Sequence, residues 1–208
     1  MVLYWAFIIL SFAPVLLAQQ PVCTSLTPMI LNDTTIDQLS GKWYYIGAAI
    51  GYLPYKEETQ SIKSSFFYMI PNKTEDIFFG NEYNTIGDKC VYMQMNLTID
   101  RANGTLLRNE SNHLFVSYVA WTQDPNTFVL YFFPMDRNLR SVFLSVRTPE
   151  ASEEQLKEFR EIAKCLGFQE EDIIYTDWSK DMCKQLEKEH NQKEKKEAKD
   201  VSKEKELS

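Results

Sequence analysis

Four cysteines, two histidines and five Asn-x-Ser/Thr tripeptides are the residues whose types and spacing offer chemistry. Cys23, Cys90, Cys165 and Cys183 lie far apart with no C-x-x-C pair, which points to two disulfides and away from a metal site. Three pairings are open on spacing alone. The histidines are too few and too scattered for a serine triad: His113 begins a strand beside a loop and His190 sits in a charged tail, so neither is expected to act as a catalytic base. The tripeptides begin at Asn32, Asn72, Asn96, Asn103 and Asn109, each with a permitted middle residue. Chance would supply on the order of one or two, so five read as N-glycosylation acceptors. Asn103-Gly104 would also serve a hairpin turn, with or without a sugar.

Disulfides and N-glycans both require an oxidising, secretory route, and the N-terminus supplies one. Met1 to Ala18 is apolar, carries no charged side chain and is interrupted by Ser11 and Pro14. It is too short to span a bilayer and has no basic stop-transfer cluster, so residues 1–18 are expected to be a cleaved signal peptide. Cleavage before Gln19 leaves a glutamine that can cyclise to pyroglutamate. Residues 19–183 then read as one domain, followed by a charged tail over 184–208 that is a solvated helix or an open chain. The chain carries a formal charge of −7; the tail, with eight Lys and seven Asp or Glu, is nearly neutral, so the acidity lies in the body. That argues against nucleic acid or an anionic membrane as partner.

The elements that must position these residues are mostly strands. Eight β segments are predicted between Trp43 and Arg147: 43–49, 61–70, 75–83, 90–99, 105–109, 113–122, 127–133 and 141–147, divided by turn signals such as Pro71-Asn72, Gly87-Asp88 and Asp124-Pro125-Asn126. The expected class is all-β with one flanking helix, the strands closing into an eight-stranded antiparallel up-and-down barrel. The helix begins at the capping box Ser152/Gln155, ends near Gly167 and buries Leu156, Phe159, Ile162, Ala163 and Leu166. A short strand over 172–176 follows. Period-two alternation then turns Trp43, Tyr45, Phe67, Met69, Leu106, Arg108, Phe115, Ser117, Val119, Leu130, Phe132, Phe143, Ser145 and Arg147 inward. A barrel of this size has room for one small ligand, so part of that set should line a cavity.

Gly41-Lys42-Trp43 at the start of the first strand, with Leu144-Ser145-Val146-Arg147-Thr148-Pro149 ending the eighth, resembles the lipocalin (calycin) family. There the Trp plugs the closed end of the barrel and the basic residue packs across it, the roles implied for Trp43 and Arg147. The likeness narrows to one branch through Gly41-Lys42-Trp43-Tyr44-Tyr45-Ile46, Phe66-Phe67-Tyr68, Pro71 to Asp76, Asn103-Gly104-Thr105 and Tyr175-Thr176-Asp177-Trp178. By that resemblance the bridges are Cys23–Cys165 and Cys90–Cys183. The main chamber falls at Tyr45, Tyr55, Phe67, Met69 and Arg108, flanked by Leu130 and Phe132, with Glu82 as an acidic group. Phe133 stands where the branch has an acidic residue, and Phe143 and Ser145 replace a small residue and a tyrosine. The resemblance implies a secreted monomeric plasma carrier of small lipophilic ligands, without cofactor, together with an acute-phase, immune-modulating role exerted through glycans or surface receptors. Enzymes of this family need a free thiol in the cavity, and all four cysteines are expected to be paired.

Overall fold

The computed structural model describes residues 26–110, 113–132 and 140–206. The expected signal peptide, Gln19, Cys23 and Phe133 lie outside the described residues. Eight strands follow one another: β1 (Gly41–Ile50), β2 (Ile62–Asn72), β3 (Ile77–Ile86), β4 (Lys89–Asp100), β5 (Thr105–Glu110), β6 (His113–Trp121), β7 (Thr127–Phe132) and β8 (Ser141–Val146). Each pairs antiparallel with the next, and β1 pairs with both β2 and β8, which closes the barrel. A short ninth strand, β9 (Ile173–Tyr175), pairs with β1 over Gly47 to Ala49, beyond the stretch Gly41 to Tyr45 that pairs with β2.

β1 serves three partners, β2 and β9 dividing one edge and β8 taking the other, and it is bulged between Tyr45 and Gly47. The extra residue shifts the side-chain alternation by one, so Trp43 and Tyr45 face in before the bulge and Ala48 and Ile50 after it. Gly47 is required at the crossing with β9: a Cβ there would lie 2.8 Å from the Ile174 carbonyl oxygen.

Among the described residues three further α-helices flank the strands besides the expected one. α1 (Asp33–Leu39) lies below the barrel, and its N-cap is Asn32, whose Oδ1 accepts the Thr35 N–H at 2.9 Å. α2 (Leu53–Ser61) occupies the β1–β2 connection, begun by Pro54 in its first turn. The predicted helix is α3 (Glu153–Cys165), with the full capping box at Ser152 and Gln155. Phe159, Ile162 and Ala163 bury its apolar face against Ile46, Ala49, Val129, Val142, Leu144 and Val146 on the outer wall. The Gln155 amide nitrogen also donates to Asp124 Oδ2 at 2.6 Å and Thr127 Oγ1 at 2.7 Å, which fixes the helix start to the β6–β7 turn.

The charged tail is helical as α4 (Lys184–Glu206), and its first turns are docked. Cys183 is bonded to Cys90 on β4. Glu187 accepts from Lys42 Nζ and from the Tyr68 hydroxyl, each at 2.5 Å. The Tyr83 hydroxyl lies 2.9 Å from His190 Nδ1, and burial, with Tyr92, Glu187 and Glu194 adding to it, pushes that phenol up to about 12. Cys165 is also disulfide-bonded.

Candidate ligand chamber

The closed end is built around Trp43, which is fully buried. Its indole N–H donates to the Leu39 carbonyl at 2.7 Å, binding the barrel floor to the end of α1. The Arg147 guanidinium lies 3.5 Å above the Trp43 ring. It donates to three carbonyls, those of Gln38 (2.7 Å), Lys42 (2.8 Å) and Ser40 (2.9 Å), and burial pulls its pKa down. A cation over an indole face and three charge-assisted hydrogen bonds hold one side chain from both sides. Phe128 meets Trp43 edge-on at 4.5 Å. Met69, Phe78, Ile99, Leu106 and Val119 complete this layer. Two residues expected in a ligand wall, Met69 and Leu106, are therefore packed into the floor.

Above the floor the register brings the expected residues to one surface. Trp43 pairs with Phe67 and Phe67 with Glu82. Leu106 pairs with Ser117 and Arg108 with Phe115; Leu130 pairs with Phe143, and Phe128 with Ser145. Strand neighbours share a face, so Phe67, Glu82, Arg108, Phe115, Ser117, Leu130, Phe143 and Ser145 share the interior with Trp43. The Ser117 hydroxyl donates to the Leu106 carbonyl at 3.0 Å, which leaves it as wall.

The rim is aromatic. Phe132 meets Phe143 at 5.6 Å, Phe143 lies 6.2 Å from Tyr45, and Tyr55 meets Phe115 at 5.5 Å. Tyr55 comes from α2 and packs on the cluster of Tyr45, Ala48, Ile50 and Phe143, so this helix lies over the mouth.

Two polar atoms in this interior are buried and have no hydrogen-bond partner among the described residues: the Tyr45 hydroxyl and Asn84 Oδ1. Burial, reinforced by the charge of Glu82, raises the Tyr45 pKa far above the usual phenol value, so the hydroxyl stays protonated and can donate. Tyr45 and Asn84 sit on strands that both pair with Ser65. The interior thus offers apolar area with an unsatisfied buried donor and acceptor, beside the charged Glu82 and Arg108.

A profile of the lipocalin / cytosolic fatty-acid binding protein family matches residues 40–180. The chain belongs to the lipocalin family. This lipocalin is 41% identical over 198 residues to the α-1-acid glycoprotein of Bos taurus, and 36% identical over 197 residues to that of Oryctolagus cuniculus, each alignment covering 95% of this chain and 98% of the relative. The branch suggested by the sequence motifs is thus α-1-acid glycoprotein, or orosomucoid. Among solved structures the lipocalin is similar to siderocalin Q83, with a TM-score of 0.57, 17% identity and coverage of 70% of this chain and 92% of the other. That level of identity speaks for the fold alone.

Several interior positions escaped the sequence reading. Asn84, Val91 and Met93 face inward, since Asn84 pairs with Ser65 and Val91, and Glu82 with Met93. The alternation Val91, Met93, Met95, Leu97, Ile99 carried that signal. Ala48 and Ile50 are inward only because of the bulge, which no residue pattern marks. Among the described residues no cluster of His, Cys, Asp and Glu could hold a metal ion, and no helix is long and apolar enough to cross a membrane.

Proposed function

We propose that this lipocalin is a secreted carrier of small lipophilic molecules, steroid-like or aromatic, neutral or basic, held inside the barrel. The observation that carries the reading is an aromatic interior containing a buried donor and a buried acceptor that nothing among the described residues satisfies. A buried polar group without a partner costs about 1–3 kcal/mol, so a ligand that meets it gains both affinity and orientation. Tyr45, Tyr55, Phe67, Leu130, Phe132 and Phe143 supply apolar contact, and Glu82 and Arg108 set charge preference. Burying about 300 Å² of apolar ligand surface at about 25 cal/mol/Å² gives roughly 7–8 kcal/mol before ordering costs, which leaves micromolar affinity unless polar contacts add to it.

The wider role, an acute-phase plasma glycoprotein that modulates inflammation, rests on the similarity to α-1-acid glycoproteins and on five sequons. Measurement of its plasma level after an inflammatory stimulus tests that role. Carriage is tested by displacing a hydrophobic dye with matched neutral and cationic compounds, on wild type and on Phe132→Asp, Arg108→Ala and Glu82→Gln. Undiminished binding in correctly folded Phe132→Asp would remove the chamber from the account.

A further inference from the structure

The barrel wall has a seam. β4 pairs with β3 along ten positions, from Ile77↔Thr98 to Ile86↔Lys89, but with β5 at only three: Thr98↔Leu107, Ile99↔Leu106 and Asp100↔Thr105. Past Thr98 the β4–β5 ladder stops, and among the described residues, positions 89–97 present a strand edge. Val91 and Met93, which alternation turns inward, are each 38% exposed there.

Long strand edges are ordinarily blunted by charge, proline or a bulge, because their backbone groups invite another strand. This one has none of these devices: from Cys90 to Ile99 there is no charged residue, no proline and no glycine. Such an uncharged, β-prone segment has the composition of a strand-pairing site, and being uncharged it would not repel a second copy of itself despite the −7 net charge of the chain.

What flanks the seam is a pair of sequons. Continuing the register two residues beyond Thr98↔Leu107 sets Asn96 opposite Asn109. Both are on the outer surface and exposed: Asn96 pairs with the exposed Phe79, and Asn109 with the exposed Leu114. We propose that the β4 edge is a docking strand for a second copy of this chain, kept vacant by N-glycans on Asn96 and Asn109 that stand on either side of the seam. An antiparallel β4–β4 pairing about a two-fold axis is self-complementary and extends the sheet of each copy. Two branched sugars at the seam obstruct it sterically without placing a charge in the strand.

The proposal rests on occupancy of these two sequons, which is measured separately. Glycopeptide mapping of protein secreted by a glycosylating host should find sugar on both; bare asparagines at both sites in a monomeric protein would overturn it. Asn96→Gln/Asn109→Gln should then double in mass by sedimentation at about 100 µM, within the range where exposed edges associate. Asn32→Gln/Asn72→Gln/Asn103→Gln, which removes the three sequons away from the seam, should stay monomeric. Adding Gln94→Lys to the double variant puts a charge on the outer face of the edge and should return it to monomer. A double variant that is folded and still monomeric, or a dimer that Gln94→Lys does not dissolve, would overturn the assignment.

Discussion

Tyr45 carries the sharpest residue-level consequence. Its hydroxyl is buried without a partner among the described residues, so Tyr45→Phe removes an unsatisfied polar group and should leave the urea midpoint equal or higher. Ligands bearing an acceptor oxygen should bind about 5–10-fold more weakly to that variant, while hydrocarbon analogues are unchanged, because one neutral hydrogen bond contributes about 1 kcal/mol. A loss shared equally by both ligand types would show that the hydroxyl does not meet the ligand. Arg147 predicts the opposite. Removing it leaves three carbonyls without their donor, and Arg147→Met should destabilise the fold by about 2–4 kcal/mol in urea titration. Arg147→Lys should recover little, since an ammonium cannot lie flat on Trp43 while bridging Gln38, Ser40 and Lys42.

At the scale of elements, the junction of α3 with the β6–β7 turn depends on ionised Asp124. The backbone N–H of Asn126 first, then Gln155 and Thr127, hold its pKa below the ordinary carboxylate value. A depressed folded-state pKa contributes stability above the unfolded value, and that contribution disappears as pH falls through the folded one. The urea midpoint should therefore drop below about pH 4, and Asp124→Asn should flatten that acid limb. If the variant retains the full acid dependence, the carboxylates elsewhere account for it. Ser152→Ala at the same junction should cost about 1 kcal/mol.

The eight strands and α3 were legible because their patterns are local: period-two alternation between turn residues, and a capping box before an amphipathic stripe. α1 was not, because Asn32, its N-cap, also opens a sequon and read as a glycan site alone. α2 was missed because Gly51 to Pro54 looks like a turn, and its polar sequence has no apolar stripe to bury. The inward-facing set followed from parity wherever parity was unbroken, though parity did not separate the packed floor at Met69 and Leu106 from the wall above it. It failed at Ala48 and Ile50, where the bulge resets the alternation; Asn84 shares the parity of Glu82 but was passed over because a polar side chain adds nothing to an apolar alternation.

For the whole molecule, the Cys90–Cys183 bridge spans 93 residues and ties α4 to the barrel wall. In the chain-entropy model a loop of that length contributes about 4–5 kcal/mol. Cys90→Ser/Cys183→Ser should lower stability by up to that amount and speed amide hydrogen exchange in α4, leaving α3 protected. Equal protection of α4 in the variant would mean that Glu187 and His190 suffice to dock it.

The closing ladder also has a kinetic side. Hairpins from β2 to β8 can zip between neighbours in sequence, but β1 must find β8, and Tyr44 and Val146 are register partners about a hundred residues apart. Bringing such distant segments together demands a large loss of chain entropy before any contact rewards it, and proteins dominated by these pairings refold in milliseconds to seconds. Until that meeting occurs, Trp43 has no guanidinium above it. The emission of that indole therefore serves as a clock for ring closure, and its slowest phase should coincide with protection of the β8 amides.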